Sequence, residues 1–426
     1  MAFQIQAKDS VVAFGPFDTI NAVQNLNLDP TFNEENFSEL GNEEYTATSR
    51  TPETAGSFEV TSTGSVPSIL ARMIYDYDTQ TYQYSPATQG NAYTIVQTDF
   101  ENAIFDVINL KQPGETFSEA TIVPNAQLTG LTFRADATGT GSETFSFEAD
   151  LQEAFAAPYH DIVSVPLEVQ SATTADIPAD FTATIDSGTH TIVYVFKDNQ
   201  KYWGDVSGQT EVATWSDADT ISVTAAGFTT AAPFERVTAV LSQKVAGTFP
   251  TIYYPTAARF VKGDRADIWL MNSGTSVADA NRLLRCQSAD ITVDLTRDRL
   301  QEIRRNDDLS TTYWRGLNFP LNITVNVSII ETELQQWADL QGKTIDGGAA
   351  ASPIDSNNIL NLVDFENESL RLEIRYYLQG DDNTLASVVC NKLGMTAFSE
   401  RQQVQGRAER TIGLVGSLIT ITGYDL

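Results

Sequence analysis

The residues best placed for chemistry are two acids separated by one residue, and the arrangement occurs twice. Asp99-Phe100-Glu101-Asn102 recurs as Asp364-Phe365-Glu366-Asn367. On a strand, residues two apart share a face, so such a pair can serve acid–base work or hold a metal. The same four residues also suit a structural start of strand after a loop, with Phe100 and Phe365 turned to the core. That structural reading is the expected one. The other candidates are thinner. His160 and His190 each lack a second histidine or cysteine at metal-ligand spacing. Gly139-Thr140-Gly141-Ser142 has no lysine for a phosphate and reads as a hairpin tip. No Gly-x-Ser-x-Gly elbow is present. Asp76-Tyr77-Asp78 and Asp381-Asp382-Asn383 offer clustered oxygens to calcium but lack the rest of a calcium loop, and read as turns. Asn322-Ile323-Thr324 and Asn326-Val327-Ser328 match glycosylation acceptors, yet fall inside an expected strand. Cys286 and Cys390 sit beside apolar residues and read as reduced, buried thiols. The sequence therefore predicts a protein that is not an enzyme, with no catalytic residues, no cofactor and no metal.

The repeated acidic motif belongs to a larger duplication at an offset of 265 (364 − 99). Pro67 to Ala71 aligns with Thr332 to Gln336, and the polar segment Asn36 to Tyr45 with Leu300 to Leu309. Glu148-Ala149-Asp150-Leu151 echoes Gly423-Tyr424-Asp425-Leu426 at a longer offset, and Ile5 to Asp9 loosely echoes Phe260 to Asp264. The domains are accordingly 1–151, a first copy; 152–255, an inserted β-rich segment; and 256–426, a second copy.

Period-two alternation dominates both copies, as in Phe58 to Ser62, Leu131 to Ala135, Thr144 to Glu148, Ile323 to Ile329 and Leu370 to Ile374. Such alternation marks half-buried antiparallel strands with one polar face. In the insert, Thr189 to Phe196 and Thr220 to Val223 read as strands of a small sandwich or sheet. Helices are short. Asp29-Pro30 and Thr296 carry cap signals for helices over 31–40 and 296–305. Ile69, Leu70 and Met73, and likewise Leu334, Trp337 and Ala338, predict a second helix in each copy, over about 67–75 and from 332.

The formal charge is −30, with only 8 lysines beside 18 arginines. Acid spread along the chain repels nucleic acid and anionic membrane and favours solubility. Low lysine with high acid also fits a high-salt host. The start of the chain has no basic, apolar signal pattern, and Ile412 to Ile421 is too short to span a bilayer. Assembly in the host cytoplasm is the expectation.

The order of elements resembles the tail tube (major tail) proteins of long-tailed viruses. The matching features are the polar segments (Asn36 to Thr54, Leu300 to Trp314), the helix after the third strand (Pro67 to Tyr75, Thr332 to Leu340), and the closing strands ending Phe147 to Asp150 and Ile421 to Tyr424. The resemblance spans both copies but not the insert. It implies a mainly β fold: two tandem tube-like β-sandwich or barrel domains, each with a short helix. It further implies that the chain is of the duplicated kind, which forms homotrimeric, pseudo-hexameric rings stacked into a hollow tube in the virion tail. The partners implied are further copies of the chain, the tape measure, terminator and tail-tip proteins, and DNA in transit without specific binding; no membrane is implied. An acidic lumen would keep DNA from sticking. The insert is expected to decorate the outside of the tube, and its removal to spare ring formation. The polar segments are expected to stack ring on ring. Glu39, Glu43 and Glu44 make the first acidic; Arg297, Arg299, Arg304 and Arg305 make the second basic; Phe37, Leu40, Tyr45, Leu309 and Tyr313 supply apolar anchors. The rival readings are a tail-tip or baseplate ring protein of the same fold, or a cell-surface β-domain adhesin, which would need an export signal.

Overall fold

The computed structural model describes residues 10–17, 23–31, 34–37, 45–48, 53–61, 66–84, 92–111, 119–156, 162–197, 200–244, 265–273, 285–301, 312–330, 369–377, 384–401 and 409–424, with Ile20, Arg282 and Leu283. It is mainly β and multi-domain. The first copy holds β1 (Ser10–Phe14), β2 (Val23–Thr31), β3 (Glu34–Phe37), β4 (Tyr45–Thr48), β5 (Glu53–Thr61), α1 (Val66–Ala71), β6 (Tyr75–Asp76), β7 (Thr81–Tyr82), β8 (Ala92–Val96), β9 (Ile104–Lys111), β10 (Glu119–Asp136), β11 (Ser142–Ala149) and β12 (Glu153–Ala156). The insert holds β13 (Ile162–Val169), β14 (Thr174–Asp176), β15 (His190–Lys197), β16 (Gln200–Trp203), β17 (Ala213–Trp215), β18 (Thr220–Val223) and β19 (Val237–Gln243). The second copy holds β20 (Ala266–Asn272), β21 (Cys286–Asp294), β22 (Arg297–Gln301), β23 (Thr312–Leu317), β24 (Asn322–Ile330), β25 (Leu370–Tyr377), β26 (Thr384–Arg401), β27 (Glu409–Gly416) and β28 (Leu418–Tyr424).

One strand order occurs twice. The first copy runs β2-β5-β11-β10-β9-β1, with β12 also on β10; the second runs β21-β24-β27-β26-β25-β20, with β28 also on β26. The irregularities coincide as well. The bulge between Leu128 and Gly130 matches that between Met395 and Ala397. The shift between Val123 and Ala126 matches that opposite Leu370 and Leu372. At that shift Asn125 (φ 51) and Lys392 (φ 54) both take the left-handed conformation, at an offset of 267 (392 − 125).

The copies are not separate beads. β10 pairs with β21, from Gly130↔Asp294 to Asp136↔Ser288, so both copies share one 15-stranded sheet and one hydrophobic core. A second strand crosses between them, since β8 pairs with β28 from Thr420↔Val96 to Tyr424↔Ala92. α1 closes over β8 and β28. A Cβ at Gly423 would stand 2.8 Å from Pro67 Cγ, so only glycine admits the helix there.

Several readings change. The described part of 31–40 is strand where a helix is expected: Val23–Thr31 and Glu34–Phe37 are strands, the latter paired with Tyr45–Thr48. The run Leu26, Leu28, Pro30 alternates against β5, and Pro30 is tolerated because β2 is an edge strand. The helix expected over 296–305 is likewise replaced by β22, paired with β23. Thr296 does cap locally, but it bonds back to Asp294 Oδ1 (2.5 Å) and turns the chain into a hairpin. β28 corresponds to β12 and not to β11, since Glu119↔Ala156 and Ala386↔Gly423 are the matched pairs. The echo of 148–151 in 423–426 therefore does not join equivalent positions. The helix expected from 332 and the second acidic motif lie outside the described residues.

The insert's strands order as β16-β15-β19-β13-β14-β18-β17 around their own core of Val165, Leu167, Ile192, Val195, Ile221 and Val223. It also shares a core with the first copy, where Ala13, Ile108, Ala120 and Ile122 meet Ile162, Tyr194, Phe196 and Val240. Beside it Asp106 is fully buried. Its Oδ2 accepts from Arg236 (2.7 Å) and Ser164 (2.6 Å), and its Oδ1 from the Asn125 backbone (2.8 Å). Arg236 also donates to Tyr82 Oη (2.8 Å) and to Asn125 Oδ1. Burial is the largest influence on the Tyr82 hydroxyl and holds its pKa at about 12. In the second copy the positions of Asp106 and Ile108 are Arg371 and Glu373. Glu373 is buried between Arg371 and Arg375, at 2.5 Å from each. There the buried carboxylate is paired by arginines of its own strand. We expect Arg236→Met to destabilise the protein by about 3–5 kcal/mol, because Asp106 is left buried and unpaired. Denaturant unfolding of the two proteins checks this, with a double Arg236→Met, Asp106→Leu variant expected to recover most of the loss. Removing the insert outright uncovers the same apolar face, so a bare deletion is a harsher change than its sequence suggests.

Candidate functional site

Among the described residues no group of three or more His, Cys, Asp or Glu is placed to hold a metal. Asp99 to Asn102 is a 3-10 turn leading into β9, with Phe100 fully buried and the Asp99 carboxylate accepting from the Val96 backbone (2.8 Å). In the first copy the motif leads into a strand with Phe100 on the core side, which is the structural reading the sequence favours. Asp76 likewise caps its own turn, bonding Asp78 and Thr79. His190 is buried, with Nδ1 2.8 Å from Thr189 Oγ1, and burial lowers its pKa. His160 lies outside the described residues. Cys390 is buried and Cys286 half-buried, and burial pushes both thiols up to about 12. Their matched positions in the first copy are Val123 and Val23, so the thiols fill apolar places.

What the fold does build is a long polar sheet face and two open edges. Across the shared sheet one row reads Asn25, Glu59, Thr144, Thr132, Thr292, Thr324, Val415. The adjoining row reads Ser57, Ser146, Gly130, Asp294, Asn322. These side chains are exposed or half-buried, while the alternate ones, such as Phe58, Phe145, Leu131, Val293 and Ile323, are buried. The face is rich in hydroxyls and amides and carries acids at Glu59, Asp290 and Asp294. Arg134 lies among them, 3.7 Å from Asp290. Neither row offers an aromatic ring on which a base could stack.

The edges follow from the repeat. Inside the chain, the outer flank of β10 is covered by β21. The counterpart of β10 is β26 and the counterpart of β21 is β2. Among the described residues β26 from Gly394 to Arg401 pairs only with β27, and β2 pairs only with β5. The junction between copies thus leaves its own two halves unpaired at opposite ends of the sheet.

The junction is secured by a residue that sequence reasoning assigned elsewhere. Arg297 is buried in it. Its Nε donates to the Leu128 carbonyl (3.1 Å), Nη1 to Glu101 (3.1 Å) and Nη2 to Phe100 (2.5 Å). An arginine that follows an alternating strand and ends against the acidic motif of the other copy gave no local signal of this role. Of the stacking residues, Phe37 and Tyr45 are register partners in the β3–β4 hairpin. Arg299 lies opposite Arg315 in the β22–β23 hairpin, and Tyr313 falls at that hairpin's irregularity. Glu39, Leu40, Glu43, Glu44, Arg304, Arg305 and Leu309 lie outside the described residues.

No family model matches the chain, and no curated protein matches it. Among solved structures, the chain is similar to one described as the cryo-EM structure of the anti-feeding prophage cap, a tube-terminating cap. The identity is 11%, the TM-score 0.23, and the match covers 42% of this chain and 97% of that one. A likeness of that size defines neither fold nor function. No helix among the described residues is long and apolar enough to cross a membrane.

Replacing Arg297 by Met removes three donors from carbonyls that have little access to water. We expect a loss of about 3 kcal/mol or more in unfolding free energy, read from denaturant melts. Exchange of the amides in β10 and β21 should rise more than in the insert.

Proposed function

We propose that this protein is a structural component of a viral tail, whose copies associate edge to edge into trimeric, pseudo-hexameric rings that stack as a hollow tube conducting DNA. The observation that carries the reading is the β10–β21 junction. It joins two copies of one strand order and, among the described residues, leaves the equivalent of each half, Gly394–Arg401 of β26 and β2, paired on one side only. An exposed strand edge invites another strand, and a heterologous contact repeated by rotation closes into a ring. Three chains supply the six tube-like units that the tail-tube resemblance implies. The hydroxyl-rich face with its sparse acids suits a bore that must not hold a polyanion. The β3–β4 and β22–β23 hairpins are the polar segments assigned to ring stacking. The insert, which among the described residues shares a core with the first copy, would mark every second unit.

Electron microscopy of the purified protein tests this. Rings with a central hole, three-fold symmetric with two alternating unequal units, are expected, and they should stack into tubes. Dispersed single chains at every concentration, or six identical units, would contradict the reading. Single rings that never stack would favour a tail-tip or baseplate ring instead.

A further inference from the structure

We infer that the two kinds of junction in such a ring are chemically unequal: the one inside the chain is permanent and has apolar pairs throughout its buried face, whereas the one between copies sets an ion-pair cluster into that face and is the more salt-sensitive. This rests on the ring reading above and concerns how the ring is held.

The comparison is position by position. Inside the chain, the buried face of the junction presents Leu131, Phe133 and Ala135 from β10 against Ala289, Ile291 and Val293 from β21. Behind Phe133, across the β10–β11 pair, stands Glu143. Its carboxylate is buried and lies near enough to Tyr376 to contribute to that hydroxyl's raised pKa, whose largest cause is burial. At the open edges the matched bulges fix the equivalents. Leu131 becomes Phe398, and Ala289, Ile291 and Val293 become Leu26, Leu28 and Pro30, all still apolar, but Phe133 becomes Glu400 and Glu143 becomes Arg410. On the facing edge Tyr376 becomes Lys111, since Tyr376↔Ala386 and Lys111↔Glu119 are matched pairs. Arg297, the clamp inside the chain, becomes Glu34 at the start of β3.

Two uncharged positions, Phe133 and Tyr376, are thus replaced by charges and the charge at a third, Glu143, is reversed; the new charges already form ion pairs within each edge. Glu400 lies 3.6 Å from Arg410, and Lys111 lies 3.1 Å from Glu119. These side chains are partly exposed in the single chain. When a second copy docks in the register of the internal junction, Arg410 and Lys111 meet with a carboxylate beside each. The cluster is net neutral and its pairs can exchange across the junction. Such contacts respond to ionic strength far more than apolar ones do.

The backbone agrees. Leu295 donates its N–H to the Thr129 carbonyl (3.0 Å), so Val293, two residues earlier, turns its own N–H toward β10. The equivalent of Val293 is Pro30, which has no N–H. The junction between copies therefore lacks one ladder bond that the internal junction makes. A weaker, ionic contact lets chains fold and persist singly, then associate when conditions permit.

The test transplants the internal junction to the edges: Glu400→Phe, Arg410→Glu and Lys111→Tyr in one chain. The chain becomes two charges more negative (+1 − 2 − 1), so the two proteins are compared at high salt, where the added repulsion is screened. Association is measured by sedimentation across protein concentration at low and high sodium chloride, with thermal melts to confirm folding. The transplanted chain should associate more tightly at high salt, by about tenfold or more, and with a shallower salt dependence than the native chain. Equal salt dependence in the two proteins, or a folded transplant that no longer associates, would overturn the inference while native rings keep the ring reading intact. A native chain that stays single at every concentration and salt would overturn the ring reading itself, and this inference with it.

Discussion

The structure depends on one constraint, the need of every strand edge for a partner. A β-sheet cannot end without leaving a row of backbone donors and acceptors, and proteins cover, shorten or join such rows. Here the chain joins one pair of edges within itself, at β10 and β21, and repeats the same pair at its two extremes. Everything else serves that arrangement. Arg297 holds the internal junction by its carbonyls, β8 reaches across to β28, and Gly423 lets α1 of the first copy settle on the second.

Duplication gave the copies freedom to diverge where the assembly does not need equality. The left-handed residues Asn125 and Lys392 keep the same backbone turn with different side chains. At Asn125 the turn feeds the buried Asp106–Arg236 network and anchors the insert. At the matched place in the second copy, Glu373 sits between two arginines of its own strand. One copy thus carries an added domain and the other does not, although their strand order is one.

Much of this was legible in the residues. Period-two alternation located β5, β10, β11, β24 and β25, because each has one buried and one polar face. The repeated acidic motif gave the offset of the copies to within a few residues. The two helices expected over 31–40 and 296–305 were misread because a cap signal is local, whereas the partner strand that overrides it is distant in sequence. Asp29-Pro30 looks like a helix start until β5 pairs beside it. The fusion of both copies into one sheet left no mark that a single sequence can show, since register between strands some 160 residues apart is not written in either strand (Thr132 and Thr292). For the same reason the sequence groups Arg297 with Arg299, Arg304 and Arg305 as a basic segment and not as a buried clamp.

The central claim is that copies of the chain join as the two halves of one chain already do. Thr132 lies opposite Thr292 in the internal junction, at a position whose backbone groups point away from the partner strand, where Cα atoms come closest. The matched residues at the open edges are Ser399 and Asp29. With cysteine at both, mild oxidation should link separate chains through this one contact, because a disulfide forms only between residues at such spacing. The account predicts a ladder on a denaturing gel that stops at three chains, reversed by reductant. Failure of either residue to link while rings persist, or a ladder that continues without limit, would contradict it.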